Sequence, residues 1–313
     1  MSDLILHHYP TSPFSEKMRL VLGYKQLPWK SVHIPVVMPK PDLQALTGGY
    51  RRTPVLQIGA DIYCDTALIC DVLEHRCAAP TLYPPHAKGL ARILAQWADH
   101  TLFWAAMGYT LQPKGAATLF PGQPPEALRA FAEDRKAMRV NMTQLRTGDA
   151  AAAYRSYLRR LANMLEQGQP FLLGDRPSVA DFAAYHPLWF SRVRVPVMAG
   201  IFEATPAVLA WMDRLAAIGH GSSEAMEAAQ AIALAAAAEP APLADEPFVD
   251  EHGIALGSRV TVAAESFGTE TTEGELLAAT RMHYTLRRTD PRVGTVHVHF
   301  PRVGFVLRKA EPA

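Results

Sequence analysis

Residues 7–20, HHYPTSPFSEKMRL, join an apolar run to an amphipathic one. Upstream, residues 4–9, LILHHY, read as a short buried strand. Downstream, Glu16 to Tyr24 read as a helix with Met18, Leu20, Val21 and Leu22 on its apolar side. Ser15 is a candidate N-cap, and Ser12, Pro13 and Phe14 fill the turn. A strand that turns directly into a helix sets the frame for the next eighty residues.

WKSVHIPV (29–36) reads as a second strand, and PKPDLQAL (39–46) as a Pro-bounded loop leading into a turn of helix. TPVLQIGADIYC (53–64) carries a hairpin signature, two β-rich runs around Gly59-Ala60-Asp61, and DTALICDVLEHR (65–76) a helix opened by Asp65-Thr66. The order strand, helix, strand, helix, strand, strand, helix predicts an α/β unit over 1–83, a mixed sheet with helices on its faces. Beyond it, helical patterns are expected over 87–111, 124–147, 150–167, 179–191, 206–218 and 222–237, an all-helical unit over 86–238. Within it Ser178 and Asp181 stand at capping-box spacing. An Ala/Pro linker (239–248) precedes short period-2 runs over 249–313, read as a small antiparallel β-barrel or sheet module.

Composition narrows the functional classes. The 313 residues are 49% apolar with a formal net charge of +1, which fits a globular protein and gives nucleic-acid binding little support. Cys64, Cys70 and Cys77 are odd in number and clustered, so no disulfide framework is implied and a reducing cytoplasm is expected. The opening MSDLILHH has an Asp where a signal peptide needs positive charge. No apolar run reaches the roughly 18 residues that span a bilayer, so no membrane role is expected.

A helix N-terminus offers unpaired N–H groups and the positive end of the helix dipole, so it stabilises a thiolate placed there. A hydroxyl from Ser12, Tyr9 or Ser15 would add a charge-assisted hydrogen bond and lower a thiol pKa from its reference of about 8.5. Thr53-Pro54 is a candidate cis X-Pro bond, which would free neighbouring backbone groups to pair with an extended peptide. Asp65 and Thr66 open a helix where N–H groups and a hydroxyl would bind a carboxylate while Asp65 pairs with an ammonium.

SPFS, TPVL, DT and the later SVADF, in that order, resemble the glutathione transferase superfamily over residues 4–220. The resemblance implies a thioredoxin-like domain followed by an all-helical one, a homodimer, a glutathione site in the first domain and a hydrophobic substrate site between the two. Ser12 then orients the tripeptide's thiol for attack on a small electrophile, with Tyr9 and Ser15 as alternatives. Phe14 belongs to the same motif, Thr53 would bind the cysteinyl backbone beside cis Pro54, Asp65 and Thr66 would hold the γ-glutamyl end, and Lys40 would reach the glycyl carboxylate. No cysteine lies between Pro10 and Lys17, which favours thiol activation over thiol exchange. The competing implication is a transferase fold kept as a scaffold that recruits a partner through the C-terminal module.

Other features read more plainly. Cys70 and Cys77, seven apart on one helix, are too far apart to bridge and are expected in the core. Trp104 and Tyr109 on the first long helix are candidates to face an apolar substrate. His297 and His299 share one strand face opposite Val296, Val298 and Phe300, and His283 is a candidate third ligand, but no metal is expected. The Arg-rich segment 281–309 would form internal salt bridges or dock an acidic partner.

Overall fold

The computed structural model describes residues 2–140, 142–166 and 168–311. Its first unit follows the expected order: β1 (Ile5–His8), α1 (Pro13–Tyr24), β2 (Trp29–His33), α2 (Pro41–Thr47), β3 (Val55–Ile58), β4 (Asp61–Cys64) and α3 (Thr66–Arg76). β1 runs parallel to β2 and antiparallel to β3, and β3 and β4 form the hairpin. Gly59 takes φ 62° in the hairpin turn, a conformation closed to most side chains. The helical unit contains α4 (Lys88–Trp97), α5 (Phe103–Thr110), α6 (Pro113–Ala116), α7 (Pro125–Met138), α8 (Thr147–Leu165), α9 (Val179–Trp189) and α10 (Pro206–Ala216). Ser178 and Asp181 close the capping box of α9, and Asp181 also accepts hydrogen bonds from the Leu172 N–H and the Trp211 indole. α9 is buried along its whole length, as its apolar sequence requires.

Several sequence expectations are revised, and the helix expected over 124–147 already ends at Met138. The helix expected over 87–111 is interrupted by a π-helical segment, Ala98–Leu102, between α4 and α5. A second one, Phe190–Arg194, follows α9. The helix expected over 222–237 divides into β5 (Ser223–Ala225), which pairs parallel with β2, and α11 (Ala228–Ala237). This segment returns to the sheet, where the Gln57 side chain donates to the Ala231 carbonyl.

The C-terminal residues form β6 (Arg259–Ala264), β7 (Thr272–Ala279), β8 (His283–Asp290), β9 (Gly294–Pro301) and β10 (Phe305–Lys309), an antiparallel sheet. It is continuous with the first one: β9 pairs parallel with β4, giving one ten-stranded sheet ordered β10-β6-β7-β8-β9-β4-β3-β1-β2-β5. Along this seam Ile62 faces Val298, and both sink into a core shared with Leu43, Leu46, Tyr50 and Val55 of the first unit. Tyr50 packs edge-on against Phe300, and Phe300 in turn packs on Phe305. The arginines of this segment are largely spent internally. Arg288 donates to the Ala45 carbonyl, Arg292 pairs with Asp42, Arg287 with Glu275, and Arg302 caps the Thr280 and Val249 carbonyls. No helix among the described residues is long and apolar enough to cross a membrane.

Candidate functional site

The joint between β1 and α1 is built by its own residues. The Ser12 N–H donates to the Tyr9 carbonyl, Ser12 is the N-cap of α1, and its Oγ accepts the Ser15 N–H at 3.2 Å. Pro13 occupies the first helical position, where its missing N–H costs nothing. Because Oγ already accepts along the helix axis, the Ser12 hydroxyl proton remains available to a ligand. Ser12 lines a cavity of about 480 Å³ that also takes in Tyr9, Phe14, Lys40, Thr53, Pro54, Asp65, Thr66 and Trp104. The Thr53–Pro54 bond is cis.

Two expected residues lie elsewhere. Ser15 is fully buried, its Oγ has no partner among the described residues, and it does not line the cavity. Tyr109 also stands outside, its hydroxyl donating to the Met198 carbonyl and its ring packing on Tyr154. Trp104 and Tyr109 stand five residues apart on α5, about 140° around its axis, so Trp104 faces the cavity while Tyr109 faces the helical core.

Asp65 caps α3 through Oδ1, which accepts the Ala67 N–H at 2.9 Å, and its Oδ2 lies 3.9 Å from Arg52. It holds φ 73°, an unusual backbone state for a non-glycine residue that costs on the order of 1–3 kcal/mol and concentrates at functional sites. The Thr66 hydroxyl accepts from the Lys17 ammonium at 3.0 Å, leaving its own proton free. Lys17 is fully buried, and it also bonds Asp99 at 2.6 Å; Asp99 accepts from His186 at 2.9 Å. Burial pushes the Asp99 carboxyl up, but Lys17 and the His186 bond outweigh it and hold the carboxyl below its usual range. Burial likewise pulls His186 down against the opposing pull of Asp99. Through this chain the helical unit holds the N-terminus of α3 in place.

The opposite wall is basic. Lys40 is buried, its ammonium 3.4 Å from Thr53 Oγ1 and 5.5 Å from the Tyr9 ring centre. Burial and the nearby Arg135 and Arg51 lower its pKa to about 8 despite Asp134. Arg135 donates to the Tyr9 hydroxyl at 3.1 Å and to the Val36 carbonyl. Six basic side chains line the cavity, Lys40, Arg51, Arg52, Arg135, Arg139 and Arg194, against the carboxylates of Asp65 and Asp99. Such a surplus favours an anionic ligand.

Residues 6–81 match the family model described as glutathione S-transferase, N-terminal domain, and residues 125–214 that of the C-terminal domain. The chain belongs to the glutathione transferase superfamily. A GST-like protein from Pseudomonas syringae is 44% identical, with TM-score 0.84, over 99% of this chain and all of that one. That span includes β6 to β10, so the C-terminal sheet is common to both glutathione transferase-like chains. FtsZ-localized protein A of Caulobacter vibrioides is 27% identical over 57% of this chain and 73% of its own length. The structure of FzlA from C. crescentus aligns over 68% of this chain and 87% of that one at 25% identity and TM-score 0.50.

The cavity also contains residues that the sequence did not point to. Phe103, Phe120, Phe131 and Phe190 line it from the helical unit, and Ser266 and Phe267 from the loop between β6 and β7. Phe267 packs edge-on against Trp104, and its carbonyl accepts from Arg52. Arg51 bonds both Asp134 at 2.7 Å and Glu270 at 2.5 Å, tying that loop to α7. The patterns of helix and strand carry no signal for these residues, because their facing depends on contacts between distant segments.

Proposed function

We propose that this protein is a glutathione transferase-like enzyme in which Ser12 stabilises the thiolate of bound glutathione for attack on a small electrophile. The observation that carries it is the convergence of Ser12, Thr53, Asp65 and Thr66 on one cavity, each with a donor or acceptor still uncommitted. Glutathione bears two carboxylates and one ammonium. Lys40 suits the glycyl carboxylate, the Thr66 hydroxyl the γ-glutamyl carboxylate, and Asp65 Oδ2 the ammonium. Ser12 is placed to donate to the sulfur, where the positive end of α1 adds to the lowering of its pKa. Tyr9, engaged by Arg135, is the second candidate hydroxyl. The electrophile sits among Phe103, Trp104, Phe131, Phe190 and Phe267, so positioning and thiol ionisation supply most of the rate.

The proposed assembly is a homodimer in the cytoplasm, supported by exposed Leu90 and Ile93 on α4 and by three free thiols. Calorimetric titration with glutathione, paired with a thiol-conjugation assay on wild type and Ser12→Ala, tests the enzyme reading. Absence of glutathione binding to the wild type would sink it.

The relative named FtsZ-localized protein A favours a second reading, a transferase fold that docks on FtsZ. Co-sedimentation with polymerised FtsZ, at a binding level unchanged by Ser12→Ala, would support that reading instead.

A further inference from the structure

The pairing of β4 with β9 brings three potential metal ligands to one face of the sheet, away from the cavity just described. Asp61 stands opposite His297 and Tyr63 opposite His299, and the donor atoms of Asp61, His297 and His299 lie within 4.8 Å of one another. Asp61 Oδ1 is 2.9 Å from His299 Nε2 and 3.8 Å from His297 Nδ1. Two donors on one tetrahedral zinc ion, at bond lengths of roughly 2.0–2.1 Å, are about 3.4 Å apart, between these two separations.

The groups around the cluster hold it as ligands are held. Asp61 Oδ2 accepts the Ala241 N–H at 2.8 Å, which leaves Oδ1 turned to the histidines. The His299 ring is fixed by a hydrogen bond between Nδ1 and Thr285 Oγ1 at 2.9 Å and by stacking on Tyr63, with ring centres 4.5 Å apart. Supports of this kind orient metal-binding imidazoles by occupying the nitrogen that faces away from the ion. His297 Nδ1 is buried with no hydrogen-bond partner among the described residues, although buried ring nitrogens are ordinarily paired. The His297 side chain keeps 12% exposure, enough to give an ion access and to leave its remaining position to water. His283, the third ligand expected from the sequence, turns its Nδ1 to Thr280, so the third donor is Asp61 from the other half of the sheet.

We propose that Asp61, His297 and His299 form a site for a borderline divalent cation of the zinc class, which clasps β9 to β4. Mixed imidazole and carboxylate donors suit zinc better than magnesium or calcium, which take oxygen ligands. On binding, the ion replaces the contact between His299 Nε2 and Asp61 Oδ1, and any proton on Nε2 leaves to solvent. Because the ligands come from strands so far apart in the chain, the ion stabilises the docking of the C-terminal sheet rather than the chemistry of the cavity.

The test uses the full-length protein freed of metal with a chelator, titrated with zinc chloride by calorimetry, beside His297→Ala and Cys77→Ser. His297 makes no hydrogen bond through Nδ1, so its replacement leaves the seam's bonded network intact. Expected are one ion per wild-type chain with a Kd at or below micromolar, a rise in Tm of roughly 3–6 °C at saturation, and at least a tenfold loss of affinity in His297→Ala. Cys77→Ser should bind as wild type, and zinc X-ray absorption should show nitrogen and oxygen neighbours only. Failure of the wild type to bind, unchanged affinity in His297→Ala, or sulfur in the coordination shell would each overturn the site.

Discussion

The Phe267 ring packs edge-on against Trp104 with ring centres 5.1 Å apart. A side chain from the loop between β6 and β7 thus meets one from the helical unit on the wall of the cavity. Phe267→Ala is expected to widen the electrophile end, raising KM for small electrophiles severalfold and admitting bulkier ones, with glutathione affinity unchanged. Losing this half-buried ring should cost about 1–2 kcal/mol of stability. Steady-state kinetics with an electrophile series and denaturant melts check both. A parallel loss of glutathione binding would mean the loop shapes the whole cavity instead.

Ser12→Ala removes both the cap of α1 and the proposed donor to sulfur. The expected result is about 1 kcal/mol of lost stability and a rise of roughly one unit in the pKa of bound glutathione, which lowers the thiolate fraction at neutral pH by up to about tenfold. Ultraviolet titration of the bound thiolate reads this directly. Ser15→Ala serves as the contrast: its hydroxyl is buried and unpartnered, so stability should hold or rise and activity should not change.

Lys40 gives a pH signature. Its pKa is about 8 in the folded chain against the ordinary 10.5, so the folded state sheds this proton first. Between about pH 8 and 10.5 the unfolded chain binds more protons, and this group makes stability rise with pH across that window. Below it the buried charge costs stability. Affinity for S-methylglutathione should fall as pH climbs through 8 and beyond, more steeply in wild type than in Lys40→Met. Equal slopes in the two proteins would remove Lys40 from the carboxylate site.

Asp99→Asn would strand the fully buried Lys17 ammonium without its partner. A loss on the order of 3–5 kcal/mol is expected, together with weaker glutathione binding as Thr66 loses its anchor. Wild type should also lose stability as acid protonates Asp99, whose folded pKa is depressed, at pH values below the ordinary carboxylate range. Melts of both proteins across acid pH check the sign.

The first unit was legible because its signals are local. Asp65 caps the helical run beside it and Gly59 marks a turn whatever lies around it, whereas the cap of α1 falls on Ser12 and not on the expected Ser15, because Pro13 already takes the first helical position. The fate of residues 223–225 was not legible: Ser223, Glu224 and Ala225 carry no strand pattern and become a strand only because β2 offers a free edge. The β4 to β9 seam was equally hidden, since backbone bonding between parallel strands leaves no mark in either sequence. His297 and His299 were rightly placed on one face, but their third neighbour, Asp61, belongs to a hairpin that nothing in the sequence ties to them. Tyr109 was misplaced because five residues of helix separate it from Trp104, about 140° around the axis, so the two cannot share the face that meets the cavity.

The joining of β4 to β9 has a consequence for biosynthesis. His299 bonds Asp61 across 238 positions of chain, so the sheet cannot be completed while the ribosome is still making the helical unit. Until then the side of β4 that β9 will cover is a bare edge, and the wall that Phe267 supplies is missing. A nascent chain released early would carry every residue proposed to bind glutathione and still lack a closed chamber for the second substrate.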